Sequence, residues 1–341
     1  MAIGLLRVTG TIDLAQFWPT GSSDADTAKI LVKVGAGAFK FRSSPGKAFK
    51  KTNAFRDATV IGRGRKKAID KNNRITIRLQ GIDAPELHYR PSSQITDKKG
   101  RTAQQKKRYL EWNEEYRQNL AETATVRLAR FLRRAGASPI ACTIESAVDY
   151  PDEVFDTYGR FVGDILVRIG QRDYNVNLWL VQQGLAFPAF YNSMSEDEIN
   201  ALRRAADQAW AAGRYIWPNL ADYVGRLDWK MIYRRPSKKP VFSEALDTGR
   251  VVLPKLFRRL SSWEVNRYAK MVTGGFWKYL KDHKDRCYLT SEFLAGPTSA
   301  TVYALHDFVD PDGFVTVWPE DLVFRESASR LISPGGGTVN W

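Results

Sequence analysis

Between Arg74 and Ile82 the chain alternates polar and apolar residues, Arg-Ile-Thr-Ile-Arg-Leu-Gln-Gly-Ile, a rhythm with a period of two. Successive side chains of a strand point to opposite faces, so the pattern predicts a strand with one buried face. The same signal appears twice upstream, in Leu-Leu-Arg-Val-Thr-Gly-Thr-Ile from Leu5 and in Ile-Leu-Val-Lys-Val ending at Val34. Two further strands are expected around Ile140 to Glu145 and Arg160 to Ile169. Helical spacing interrupts them. Lys98 to Arg134 places Leu120, Ala124, Leu128, Phe131 and Leu132 on one face, which predicts a helix stopping at Gly136. Asn175 to Gln183 reads as a short helix closed by Gly184. Ser195 to Ala212 reads as another, with Ser195 and Glu198 at the spacing of a capping box.

Five strands with interposed helices predict an α+β fold built on a small closed barrel of oligonucleotide-binding type, with helices packed on it. Residues 35–73 interrupt the strand series with Gly, Lys and Arg around Phe39, Phe41, Phe49 and Phe55. They read as a basic insertion, which leaves a solvated loop and a nucleic-acid arm both open. The barrel region is expected to span residues 1–225, followed by a basic linker at 226–240. A small α+β domain is expected at 241–330, with a mobile tail at 331–341. Within that domain, helices are predicted near Ser262 to Met271 and Phe276 to Asp282. Thr301 to Phe308 and Phe314 to Trp318 read as a hairpin around Asp310-Pro311-Asp312-Gly313.

Charge narrows the partner. The 52 Lys and Arg against 37 Asp and Glu give a formal charge of +15, and such a surface concentrates polyanions by counterion release. Cys142 and Cys287 lack the density of a disulfide scaffold, so reduced thiols and a cytoplasmic home are expected. Met1 to Phe17 has no basic stretch followed by an apolar core, and no 18-residue apolar window exists, so neither a secretory signal nor a membrane span is expected.

Three short segments carry the chemistry: Asp24-Ala25-Asp26-Thr27, Arg78-Leu79-Gln80-Gly81-Ile82-Asp83-Ala84-Pro85-Glu86, and Asp156-Thr157-Tyr158-Gly159-Arg160. Together they offer oxygens for a hard cation, a further carboxylate and two permanent cations. Phosphodiester hydrolysis uses that inventory: a metal offsets phosphate charge, a carboxylate takes a proton from water, and guanidinium forks stabilise the pentacoordinate transition state.

The ordered set Arg-Leu-x-Gly-Ile-Asp-Ala-Pro-Glu and Asp-x-Tyr-Gly-Arg resembles the signature of the staphylococcal nuclease (thermonuclease) family over about residues 1–220. So do Asn177 to Ala186 and Ala211 to Trp217. The resemblance implies a calcium-dependent nuclease that cuts DNA and/or RNA to leave 3′-phosphate and 5′-hydroxyl ends. It implies Asp26, Asp83 and the Ala84 carbonyl as calcium ligands, with Asp24 as an outer acid. Glu86 would activate water, Arg78 and Arg160 would grip the scissile phosphate, and Tyr158 would bond a neighbouring phosphate. Phe190 falls where a base-stacking tyrosine is expected. Thr157 departs from the family by replacing a phosphate-binding lysine. Some nuclease-like domains have lost the acids and only bind nucleic acid, which is the alternative function. Two readings stay open for the C-terminal region: a separate α+β domain that recruits substrate or a protein partner, and a structural extension packed on the barrel.

Overall fold

The computed structural model describes residues 4–33, 37–43, 54–58, 60, 62–63, 66–91, 100–148, 151–224, 232–233, 242–325, 331–332 and 338–339. The alternating segments form strands: β1 (Gly4–Ile12), β2 (Thr27–Val32), β3 (Phe39–Ser43), β4 (Arg74–Leu79), β5 (Ile140–Val148) and β6 (Phe161–Ile169). All but β3 close into a ring. β1 pairs antiparallel with β2 and β5, β2 with β4, and β5 with β6; β4 and β6 run parallel. The result is a closed five-stranded mixed barrel in an α+β fold. Leu6, Val8, Ile30, Ile75, Ile77 and Ile144 fill its interior at 1% exposure or less, as the alternation demands.

The insertion at 35–73 contributes structure of its own. β3 pairs with the first half of β1, Gly4 opposite Ser43 and Val8 opposite Phe39, and it buries the Phe39 ring. A short strand, Arg56–Ala58, adds to its outer edge. Arg7 and Arg42 both stack on Phe55, at 4.0 and 4.8 Å from the ring centre. Phe49 lies outside the described residues.

Seven α-helices are described: α1 (Ala103–Trp112), α2 (Ala121–Arg133), α3 (Val176–Gln182), α4 (Glu196–Ala211), α5 (Pro254–Tyr268), α6 (Phe276–His283) and α7 (Thr290–Ala295). The helix expected over Lys98 to Arg134 is therefore two. Asn113 ends the first, and Leu120 adopts a left-handed backbone (φ 67°) just before the second. The local apolar period does not reveal the break, because its cause lies far along the chain. Asp247 accepts hydrogen bonds from the Leu120 and Thr123 amides, at 2.9 and 2.6 Å, and so caps α2 from the C-terminal region. α3 begins at the Asn175 cap, and α4 has the reciprocal Ser195–Glu198 box that the sequence predicts.

Other links join the C-terminal region to the barrel region. The strand β7 (Phe190–Tyr191) pairs in parallel with β9 (Leu322–Phe324), which in turn pairs with β8 (Arg286–Leu289). Ile232–Tyr233, inside the expected linker, pairs with Arg117–Gln118. α5 lies on α1, with Trp112 and Tyr268 stacked at 4.0 Å. One continuous apolar core runs from the barrel through Phe187 and Phe190 to Leu253, Phe257 and Val323. The sequence reading expects few contacts across the 225–241 boundary, whereas strand pairing, a helix cap and a shared core all cross it. Most of the linker and the tail at 331–341 lie outside the described residues. The expected hairpin is only partly formed. Asp310 to Gly313 turns as predicted, with Val309 bridging Val315, but Leu305–Phe308 is a 3-10 turn instead of a strand. No described helix is long and apolar enough to cross a membrane.

Candidate active site

The site lies where β2 and β4 run side by side. Thr27 pairs with Arg78, so the register sets Asp26, which precedes Thr27, beside the Arg78 side chain. Asp26 is buried, and its two oxygens are engaged by different groups. One forms an ion pair with Arg78 and accepts the Ala84 amide at 3.0 Å; the other accepts the Thr27 hydroxyl at 3.0 Å. Arg78 also donates to Asp83 at 2.6 Å and to the Ile82 carbonyl at 3.1 Å. One guanidinium thus holds together both ends of the Arg-Leu-Gln-Gly-Ile-Asp segment.

That segment must fold back on itself, and Gly81 makes the reversal. Its φ of +72° lies in the left-handed region, and a Cβ there would sit 2.6 Å from Leu202 and 2.8 Å from Met194. After the turn, Ile82–Asp83 pairs with Phe187–Pro188, which fixes Asp83 against the wall of the barrel. Glu86 follows three residues on. Its backbone is clamped by Gln118, which donates its backbone amide to the Glu86 carbonyl at 2.7 Å and accepts the Glu86 amide at 3.1 Å.

The third segment is a turn that presents Arg160. Asp156 accepts the amides of Tyr158 and Arg160 at 2.9 and 2.8 Å, and Gly159 supplies the left-handed corner. Arg160 lies along Asp156 at 2.7 Å and reaches the Thr27 hydroxyl at 3.4 Å. In this motif the aspartate shapes the turn and orients the arginine. Tyr158 is 69% exposed on the same rim, with the Arg160 guanidinium 5.5 Å from its ring centre.

Phe190 requires a correction. It is fully buried between the barrel and β9, so its ring cannot stack on a base. Strand alternation turns the next residue outward, and it is Tyr191 that lines the cleft. His88 is not among the residues lining the cleft and pairs with Glu115 at 2.8 Å.

Sequence reasoning missed three residues altogether. Lys255, Arg258 and Arg259 stand on α5 at the i, i+3, i+4 spacing of one helix face, and that face forms the far wall of the cleft. Arg258 forms an ion pair with Glu86 and donates to both oxygens of Asp83, at 2.9 and 3.3 Å. Arg259 is held by Asp285 at 2.6 and 2.8 Å. The Lys255 ammonium lies 4.2 Å from the Phe324 ring centre. The stripe was legible in principle, as three cations at helical spacing beside Leu256, Phe257 and Leu260. What the sequence could not supply was the docking that carries it to the site.

The cleft has a volume of about 1310 Å³, above the roughly 300–1,000 Å³ typical of small-molecule pockets. Asp24, Asp26 and Glu86 line it together with Arg78 and Arg258, and a fourth carboxylate, Asp83, is buried beneath, paired with both guanidiniums. Burial pushes the Asp24 carboxyl well above the usual range, and the neighbouring charges of Asp26 and Glu86 add to the effect. Burial also raises Glu86, to about 7, against the pull of Arg258. Asp83 goes the other way: burial would raise it, but Arg258 and Arg78 outweigh that and hold it at about 2. Among the described residues, Asp24 Oδ1 is buried without a hydrogen-bond partner. An all-oxygen donor set with an acid excess and an unsatisfied carboxylate oxygen fits a hard divalent cation. As they are placed, no group of three or more His, Cys, Asp or Glu among the described residues could hold a metal ion. A cation here would have to draw on water or main-chain oxygens and displace part of the guanidinium pairing.

A closed barrel with acids and arginines gathered at one cleft defines a nuclease-type fold. Residues 76–219 match the family described as staphylococcal nuclease homologue, and the chain carries a domain of that family. The match covers Arg78, the four residues Asp83 to Glu86, and Arg160; it ends before α5. No curated protein matches the chain.

Proposed function

We propose that the protein is a calcium-dependent nuclease that hydrolyses DNA and/or RNA to 3′-phosphate and 5′-hydroxyl ends. The observation that supports this most is the gathering of Asp26, Arg78, Glu86 and Arg160, from three separate segments, on a single cleft, with Asp83 buried behind them in the grip of Arg78 and Arg258. Two aspartates and the Ala84 carbonyl are the groups that would hold calcium, with Asp24 behind them. Calcium would supply charge compensation for the phosphate. Glu86, lining the cleft beside Arg258, takes the proton of the attacking water. Arg160, on a turn pinned by Asp156, presents its guanidinium to the equatorial phosphate oxygens, and Arg78 stands opposite. Tyr158 and Tyr191 on the rim give the strand a hydroxyl and an aromatic face, which suits a sequence-tolerant cutter.

The deciding experiment is digestion of plasmid DNA and total RNA with calcium, with and without excess EGTA. Cleavage that stops with EGTA and leaves 3′-phosphate ends supports the reading. Undiminished cleavage in EGTA would remove the calcium assignment, and binding without any cleavage would favour the non-catalytic module.

The cleft also reaches Lys71, at the end of the basic insertion, and Arg74, the first residue of β4. Removing the whole insertion would strip β3 from β1, so charge substitution is the cleaner probe. The double change Lys71→Ala and Arg74→Ala should weaken binding of long polymers. It should also lower the log-log salt slope by about two, one for each phosphate no longer neutralised. An unchanged slope in a salt titration would place both residues off the substrate path.

A further inference from the structure

Arg258 lies outside the matched family segment, yet it is the hydrogen-bond partner of the Glu86 carboxylate among the described residues. Its fork spans two acids three residues apart. Nη2 and Nη1 donate to Asp83 at 2.9 and 3.3 Å, and Nη1 also engages Glu86. The guanidinium is itself held in place. Its helix is anchored: α5 buries Leu256, Phe257 and Leu260 in the core, and one helical turn on from Arg258, Ser262 shares a 2.7 Å hydrogen bond with the Tyr89 hydroxyl.

We infer that Arg258 is a positioning residue of the nuclease site, fixing the Glu86 carboxylate so that the C-terminal region completes the catalytic apparatus. The inference rests on the nuclease reading. A carboxylate that takes a proton from water must be aimed as well as ionised, and a flexible two-carbon stem does not aim itself. Gln118 fixes only the backbone of Glu86; Arg258 fixes the carboxylate. Because Arg258 also engages both oxygens of Asp83, a block against the cation is the rival account, and the sign of the change in kcat separates the two.

The test uses the full chain with calcium and a short single-stranded DNA oligonucleotide, comparing Arg258→Gln and Arg258→Lys in two backgrounds. With Glu86 present, Arg258→Gln should lower kcat by roughly 10–100-fold, within the range of misplaced catalytic groups, while KM changes less than about 3-fold. Arg258→Lys should recover part of the loss. In a Glu86→Gln background the same Arg258→Gln change should cost less than about 3-fold, because a residue acting through Glu86 has little left to act on. Equal losses in both backgrounds would reduce Arg258 to general structure. A rise in KM alone would make it a substrate contact, and a rise in kcat would make it a block. Crystal structures of the parent and Arg258→Gln chains give a readout that does not depend on activity. The Glu86 carboxylate should leave its place beside Asp83, and an unmoved carboxylate overturns the positioning role. If the parent chain cuts nothing, the nuclease reading fails, and those crystal structures alone decide whether Arg258 places Glu86.

Discussion

Replacing Glu86 with Gln should lower turnover on a short single strand by about 10²–10⁴-fold, the usual contribution of a positioned general base. Arg160→Ala should cost roughly 10²–10³-fold, as for loss of one donor to the transition state. Both variants should fold. The Arg160 side chain is 30% exposed, and without it Asp156 still accepts the Tyr158 amide and the amide of residue 160. Glu86→Gln preserves shape beside Arg258. Single-turnover rates with matched circular dichroism spectra make the measurement. A Glu86→Gln chain at parental rate would end the assignment of Glu86 as base. Asp156→Ala separates scaffold from chemistry: it should also lower activity, by releasing the turn that aims Arg160.

A chain truncated after Val224 should fail to form a stable fold. Truncation removes β9 from Phe190–Tyr191 and the Asp247 cap from α2. It also uncovers the wholly buried Phe187 and Phe190 rings and the Val224 side chain, which share a core with Leu253, Leu256 and Val323. Each large apolar side chain returned to water costs about 1.5–3 kcal/mol, and loss of a helix cap about 1 kcal/mol. Half a dozen such losses approach the whole stability of a domain, about 5–15 kcal/mol. Solubility and a denaturant transition provide the check. A soluble, cooperative, active product ending at Val224 would show that the C-terminal region is an accessory after all.

Much of the barrel was legible in the sequence because β1, β2, β4, β5 and β6 each alternate with one buried face. The core acids and arginines were legible because their spacing within short segments is tied to tight local geometry. Gly81 turns the chain, Asp156 pins its own loop, and Thr27 opposite Arg78 sets the register. What escaped was determined by distant parts of the chain. Phe190 and Tyr191 differ by one position, and pairing with β9 decides which of them faces the cleft. The break at Leu120 follows from a cap by Asp247. Arg258 has the same local chemistry as any surface arginine, and only the docking of α5 gives it a partner. Patterns of period two and 3.6 report which face is buried, not against what.

The ion pair between Arg258 and Glu86 joins residues 172 positions apart in the chain, and β9, which seals the wall beside it, comes later still. Pairings that far apart form slowly, because the loop between them must close first. During synthesis, therefore, the barrel strands and their acids emerge well before the helix that aims Glu86. On the nuclease reading, a nascent chain lacks an aimed Glu86 until α5 has emerged and docked beside the barrel.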